Sequence, residues 1–159
     1  MSDIVVAYCS RTGKTKHAAE TLAELLGADV EEIREAKSRD GVLGFLGASK
    51  DALLGKAVEL TSTHCLDGRR AVVLATPVWA GTATPAMFAY LRSVDVASVA
   101  VFAMCTYDGG AGKTFYRLEQ VLPAGLRATL GLKKPDKDPQ RDEKLRAFAE
   151  RIRGALAAE

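Results

Sequence analysis

Three short apolar runs constrain the fold of this 159-residue chain more than any other feature: residues 4–9 (IVVAYC), 71–75 (AVVLA) and 98–104 (SVAVFAM). Each is too short for a helix and rich in β-branched residues, so each reads as a strand buried on both faces. Between them the period changes. Ala18, Ala19, Leu22, Leu25 and Leu26 share one helical face ahead of Gly27, a residue suited to end a helix. Thr84 and Pro85 make an N-cap and first-turn pair for a helix carrying Met87, Phe88 and Leu91. Residues 113–122 continue as a helix with Phe115, Leu118 and Leu122 on one side, and Asp138 with Pro139 caps a last helix built on Leu145, Phe148, Ile152 and Leu156. Residues 29–34 (DVEEIR) read as a polar edge strand and 127–132 as a fifth, weaker strand. Alternation of this kind predicts an α/β fold, a doubly wound three-layer sandwich around a five-stranded parallel sheet, within a single domain spanning 1–159.

In such sheets ligands bind beyond the carboxyl ends of the strands, where the strand order reverses. Three loops are therefore expected on one rim: residues 9–16, 76–85 and 105–114. Gly-Lys-Thr occurs in the first and the third, which suggests a nucleoside-triphosphate loop. That motif needs a glycine five positions before its second glycine, and Tyr8 and Tyr107 stand there instead. The dinucleotide fingerprint fails at Phe115, where its third glycine belongs. His17 and His64 lie at no predicted strand end, so a Ser-His-Asp site has no support, and no His/Cys grouping has metal spacing.

The first loop, Ser10-Arg11-Thr12-Gly13-Lys14-Thr15, leads small hydroxyl residues into a helix start. Free N–H groups and the helix dipole favour an anion there, although an N-capped turn with Ser10 or Thr12 as cap accounts for the same residues. The second loop holds the chain's one tryptophan: Thr76, Pro77, Val78, Trp79, Ala80, Gly81, Thr82. An indole beside exposed backbone suits a flat ring that needs stacking and main-chain hydrogen bonds. The third loop repeats the combination in Cys105, Thr106, Tyr107, Asp108, Gly109, Gly110 and Gly112. An anion nest and two aromatic-and-glycine loops on one rim describe a site for a phosphorylated planar heterocycle.

These three loops resemble those of short-chain flavodoxins and flavodoxin-like proteins, and the resemblance extends over nearly the whole chain. It implies the strand order 2-1-3-4-5 and FMN as cofactor. It places Ser10, Arg11, Thr12, Gly13, Lys14 and Thr15 on the phosphate. Pro77, Val78, Trp79, Ala80, Gly81 and Thr82 would lie along the flavin ring, and Cys105, Thr106, Tyr107, Asp108, Gly109, Gly110 and Gly112, in the third, glycine-bearing loop, would also bind the cofactor. Trp79 and Tyr107 are the stacking candidates. The resemblance implies an electron carrier serving a redox partner protein or a small acceptor. An NAD(P)H-dependent FMN- or quinone-type reductase is the alternative, and a cofactor-free interaction protein on the same fold the third.

Net charge is +2, too mild for a nucleic-acid footprint and unlike the acidic electron-shuttling flavodoxins. Arg11, Lys14, Lys16 and Lys113 against Asp108 leave the three loops at +3. That excess predicts closely spaced reduction steps for the flavin, as in two-electron chemistry. No stretch has the length and apolarity of a membrane span. The opening residues lack the order of a signal peptide, and three cysteines without C-x-x-C fit a reduced, cytoplasmic setting. Residues 38–60, with Gly41, Gly44, Gly47 and Gly55, read as an irregular crossover with a short helix at 49–55, or as a lid or partner surface displaying Phe45 and Leu46.

Overall fold

A computed structural model describes residues 1–36 and 58–159. The expectations for the glycine-rich crossover therefore fall almost wholly outside the described residues. The strands are β1 (Ile4–Tyr8), β2 (Asp29–Glu32), β3 (Ala71–Pro77), β4 (Ala100–Tyr107) and β5 (Thr129–Lys133). All neighbours pair in parallel, in the order β2-β1-β3-β4-β5. Four helices are described: α1 (Lys14–Leu26), α2 (Pro85–Ser93), α3 (Thr114–Val121) and α4 (Arg141–Ala157). The α/β class, the five-stranded parallel sheet and its order agree with the expectation.

Continuous apolar strands follow from a sheet covered on both sides. Val6, Tyr8, Val73, Phe102 and Met104 point to one face and pack with Leu22 of α1 and Leu145, Phe148 and Ile152 of α4. Their neighbours in sequence, Val5, Ala7, Val72, Leu74, Val101 and Ala103, point to the other face and pack with Met87 and Tyr90 of α2 and Leu118 of α3. Period-two alternation thus feeds two cores, and β2, at the edge, alone keeps a mostly polar sequence.

Several boundaries differ from the sequence expectation. β3 and β4 run on through Pro77 and Tyr107 because their ladder continues, with Thr76 opposite Cys105 and Pro77 opposite Thr106. α1 has Gly13 as its N-cap, at φ 91°, rather than Ser10 or Thr12. The last helix is capped at Gln140 without a side-chain bond, two residues after the expected Asp138. Asp138 instead organises the turn before it, accepting the Gln140 N–H at 2.9 Å and an ion pair from Lys144 at 2.6 Å. His64 lies at no strand end, as expected, and its side chain is buried. It meets Glu31 of β2 through Nδ1, and Tyr90 donates to the same carboxylate at 3.2 Å.

Candidate functional site

Parallel strands bring the residues after Tyr8, Pro77, Tyr107 and Lys133 to one rim, and the order reverses between β1 and β3. A cavity of about 590 Å³ opens there, within the size range of small-molecule and cofactor sites.

From the first loop, Arg11, Thr12, Lys14 and Thr15 line this cavity. Gly13 takes the left-handed conformation that turns the chain into α1, a shape glycine adopts without strain. The Ser10 hydroxyl accepts the Gly13 N–H at 3.1 Å. The first helical bond runs from the His17 N–H to the Gly13 carbonyl at 3.0 Å. The N–H groups of Lys14, Thr15 and Lys16 therefore have no intrahelical acceptor, the ordinary condition of a helix N-terminus. Thr15 is buried, and its hydroxyl shares a 2.8 Å hydrogen bond with that of Thr106 at the end of β4. This bond ties the first turn of α1 to the cavity floor.

The second loop is a braced hairpin. The N–H groups of Trp79 and Thr82 each donate to the other's carbonyl, at 2.8 and 3.1 Å, around Ala80 and Gly81. Both turn residues have positive φ, 50° and 74°, the backbone that a two-residue primed turn requires. The Val78 N–H donates to Thr106 at 3.0 Å and the Gly81 carbonyl accepts from Lys113 at 2.7 Å, so the hairpin is fixed to the third loop. Pro77, Val78, Trp79 and Gly81 border the cavity and Trp79 is half-buried. Ala80 and Thr82 do not line it. Thr82 is buried, with no hydrogen-bond partner for its hydroxyl among the described residues.

From the third loop, Thr106, Tyr107, Asp108, Gly109 and Gly110 line the cavity. The Tyr107 ring lies across Gly131 of β5, where an added Cβ would sit 3.0 Å from its hydroxyl oxygen. Cys105 is fully buried inside β4, and Gly112 serves the loop–loop contact: a Cβ there would fall 2.6 Å from the Gly81 carbonyl oxygen. Neither residue reaches the cavity wall. Gly109 and Gly110 differ from Gly112. Neither has a left-handed φ, and among the described residues a Cβ on either would meet no atom within 4 Å beyond its chain neighbours. Packing among the described residues does not demand glycine at these two places.

A fourth loop was missed. Pro135, after β5, completes the cavity wall. Asp136, next to it, stands 3.5 Å from the Lys14 ammonium, which is also 3.5 Å from Asp108. Lys16 faces Glu20 at 4.0 Å. Of the cations counted in the three loops, Lys16 and Lys113 do not line the cavity, and Lys14 is shared between Asp108 and Asp136.

Arg11, Pro77 and Trp79 also border a second cavity of about 530 Å³ on the β2 side, lined further by Cys9, Ser10, Glu32, Arg34 and Glu35. Burial pushes the thiols of Cys9 and Cys105 up to about 12. With β3 between their strands, both are free thiols held neutral. Among the described residues no group of three or more His, Cys, Asp or Glu side chains could hold a metal, and no helix is long and apolar enough to cross a membrane.

The chain matches no protein-family model and no curated protein. Solved structures do match. A protein of Bacteroides uniformis, provisionally assigned as a flavoprotein, superposes with a TM-score of 0.75 at 20% identity, over 92% of this chain and 97% of its own. A flavoprotein of Lactobacillus acidophilus in complex with FMN gives 0.64 at 15% identity, over 80% and 91%. Oxidised flavodoxin 2 of Bacillus cereus gives 0.60 at 19% identity, over 99% of both chains. Together with the strand order, these superpositions identify the fold of this chain as flavodoxin-like.

Proposed function

We propose that the rim cavity takes FMN and that the protein is an electron carrier. One observation carries the reading: the 590 Å³ cavity joins a helix N-terminus to Trp79, Tyr107 and two glycines that packing among the described residues does not require. The donor set suits the group. The N–H groups of Lys14, Thr15 and Lys16 and the hydroxyls of Ser10, Thr12 and Thr15 would hold the phosphate, with Arg11 and Lys14 as charge partners. Backbone donors at a helix start fit a dianion without a free lysine. The Thr15–Thr106 pair leaves one hydroxyl hydrogen available, since two hydroxyls share one bond. Trp79 and Tyr107 would cover the ring, and Gly109 and Gly110 would let its polar edge approach the main chain. Flavin supplies one- and two-electron redox chemistry when bound; the protein's part is position, water exclusion and local field.

A solved flavoprotein of this fold holds FMN, which supports the choice of cofactor. The reductase reading has one observation of its own. The second cavity shares Trp79 with the first and has room for a small acceptor or a nicotinamide. The absorption spectrum of the purified protein before and after FMN addition, followed by an NAD(P)H oxidation assay, separates the readings. The expected result is a yellow protein that does not turn over NAD(P)H. Turnover would favour the reductase, and failure to take up FMN would leave the cofactor-free reading. The soluble behaviour expected of such a carrier, and a cytoplasmic site of action, belong to the same proposal.

A further inference from the structure

The loops on the β4–β5 side of the cavity carry an uneven charge. Lys133 stands opposite Tyr107 in the sheet register, the Lys134 N–H donates to the Tyr107 carbonyl at 2.7 Å, and the Lys137 N–H donates to Lys134 at 2.9 Å. These three lysines therefore cluster beside the end of β4. Lys113 ends the neighbouring loop, and its carbonyl accepts the Arg117 N–H at 2.9 Å in the first turn of α3. Lys14, within 3.5 Å of both Asp108 and Asp136, joins the two loops side by side. The carboxylates of these loops are already engaged: Asp108 and Asp136 by Lys14, Asp138 by Lys144, whose ammonium holds the Asp138 carboxyl below its ordinary range. Lys113, Arg117, Lys133, Lys134 and Lys137 form no ion pair among the described residues. Tyr116, beside Arg117 in the first turn of α3, is 62% exposed. Lysines without ion pairs among the described residues, gathered beside a ligand cavity, form a surface suited to complementary charge on a partner.

We infer that this β4–β5 flank docks an acidic electron-transfer protein. The inference rests on the flavin reading for its purpose and on the charge distribution for its location. Complementary charge steers encounter and sets orientation. A cationic flank beside the cavity would bring a partner's acidic face to the cofactor edge. A nucleic acid fits less well, because Asp108, Asp136 and Asp138 lie among the lysines and the chain's net charge is only +2.

Fluorescence anisotropy with a labelled acidic [2Fe–2S] ferredoxin tests this on the full chain as purified. Lys134→Glu with Lys137→Glu is compared with Arg92→Glu with Arg146→Glu, two exposed arginines on α2 and α4 whose reversal changes net charge equally. At ionic strength near ~20 mM the flank variant should bind about tenfold or more weakly and the control less than about threefold, with both effects shrinking at ~0.3 M. Equal losses would reduce the effect to net charge, and no binding to the wild type would remove it. Duplex DNA, or vesicles containing phosphatidylserine, binding this flank more tightly than ferredoxin would overturn the partner class. A Lys134→Gln, Lys137→Gln variant with unchanged melting keeps the result independent of folding. The label sits on the partner, so loss of docking is read apart from loss of flavin, which the absorption spectrum of the same sample reports.

Discussion

Two glycines two residues apart should respond oppositely to alanine. At Gly112 the added Cβ would lie 2.6 Å from the Gly81 carbonyl oxygen and 2.7 Å from the Gly81 Cα, and the backbone there has φ 55°. Holding alanine left-handed costs about 1–2 kcal/mol. Overpacking against backbone, which cannot rotate away as a side chain does, adds about 1–3 kcal/mol. A total of about 2–5 kcal/mol corresponds to a fall in Tm of roughly 5–15 °C for a chain of this size. At Gly110 neither term applies, and fewer unfolded conformations would give alanine a gain of about 0.4–1 kcal/mol. Thermal melts without added flavin, followed by FMN titration, read both halves. Gly110→Ala should melt at or above the wild type yet bind FMN at least about tenfold more weakly, a loss of about 1.4 kcal/mol. A Gly112→Ala protein that melts with the wild type would refute the loop–loop contact. Wild-type FMN affinity in Gly110→Ala would refute close approach of the ring to that backbone.

Thr12→Val should weaken FMN far more than riboflavin, since a hydrogen bond to a charged group is worth about 1.5–3 kcal/mol; equal losses in parallel titrations would take the phosphate away from this loop. Asp108→Asn with Asp136→Asn releases Lys14 from its two carboxylates and should tighten FMN relative to riboflavin, by an amount that fades as salt is raised. An effect equal for both ligands would show that Lys14 does not act on the phosphate. Thiol reagents at pH 8 should label only the exposed Cys65 in the native protein and all three cysteines in denaturant, as counted by mass spectrometry. The buried thiols also set an alkaline limit. Their folded pKa is raised from 9.0 to about 12, so the unfolded chain loses these protons first and stability falls as pH rises between those values; urea melts over that range should show the decline, and Cys9→Ala with Cys105→Ala should flatten it.

The sheet was legible because its signal is local. Residues 4–8 and 71–75 are apolar at every position, and only a strand covered on both faces needs that. Strand ends were less legible, because Thr76, Pro77 and Thr106 are polar or turn-forming in isolation and join the ladder only through the register with their neighbours. The cap of α1 was misplaced for a related reason. Ser10 has the chemistry of a cap and does accept an N–H, but the left-handed Gly13 decides where the helix begins. The burial of His64 was not legible, since nothing near it in sequence announces Glu31 and Tyr90, which arrive from 33 and 26 positions away.

Within the site, a hydroxyl-rich helix start found the loop after β1 and aromatic and glycine signals found those after β3 and β4; the one after β5 was passed over. That loop, Lys134-Pro135-Asp136-Lys137, has neither signal and reads as an ordinary charged turn. Geometry exposes it: every loop that follows a parallel strand reaches the same rim, so the loop after β5 had to be counted with the others. It brings Lys134, Asp136 and Lys137 to the rim. Asp136 shares the Lys14 ammonium with Asp108, so the lysine that lines the phosphate end of the cavity is held between two carboxylates. Among the described residues Lys113, Lys133, Lys134 and Lys137 form no ion pair, and none of the four lines the cavity. A basic surface beside a nearly neutral cofactor cavity is a combination that favours docking over redox tuning, which is why the carrier reading stands ahead of the reductase.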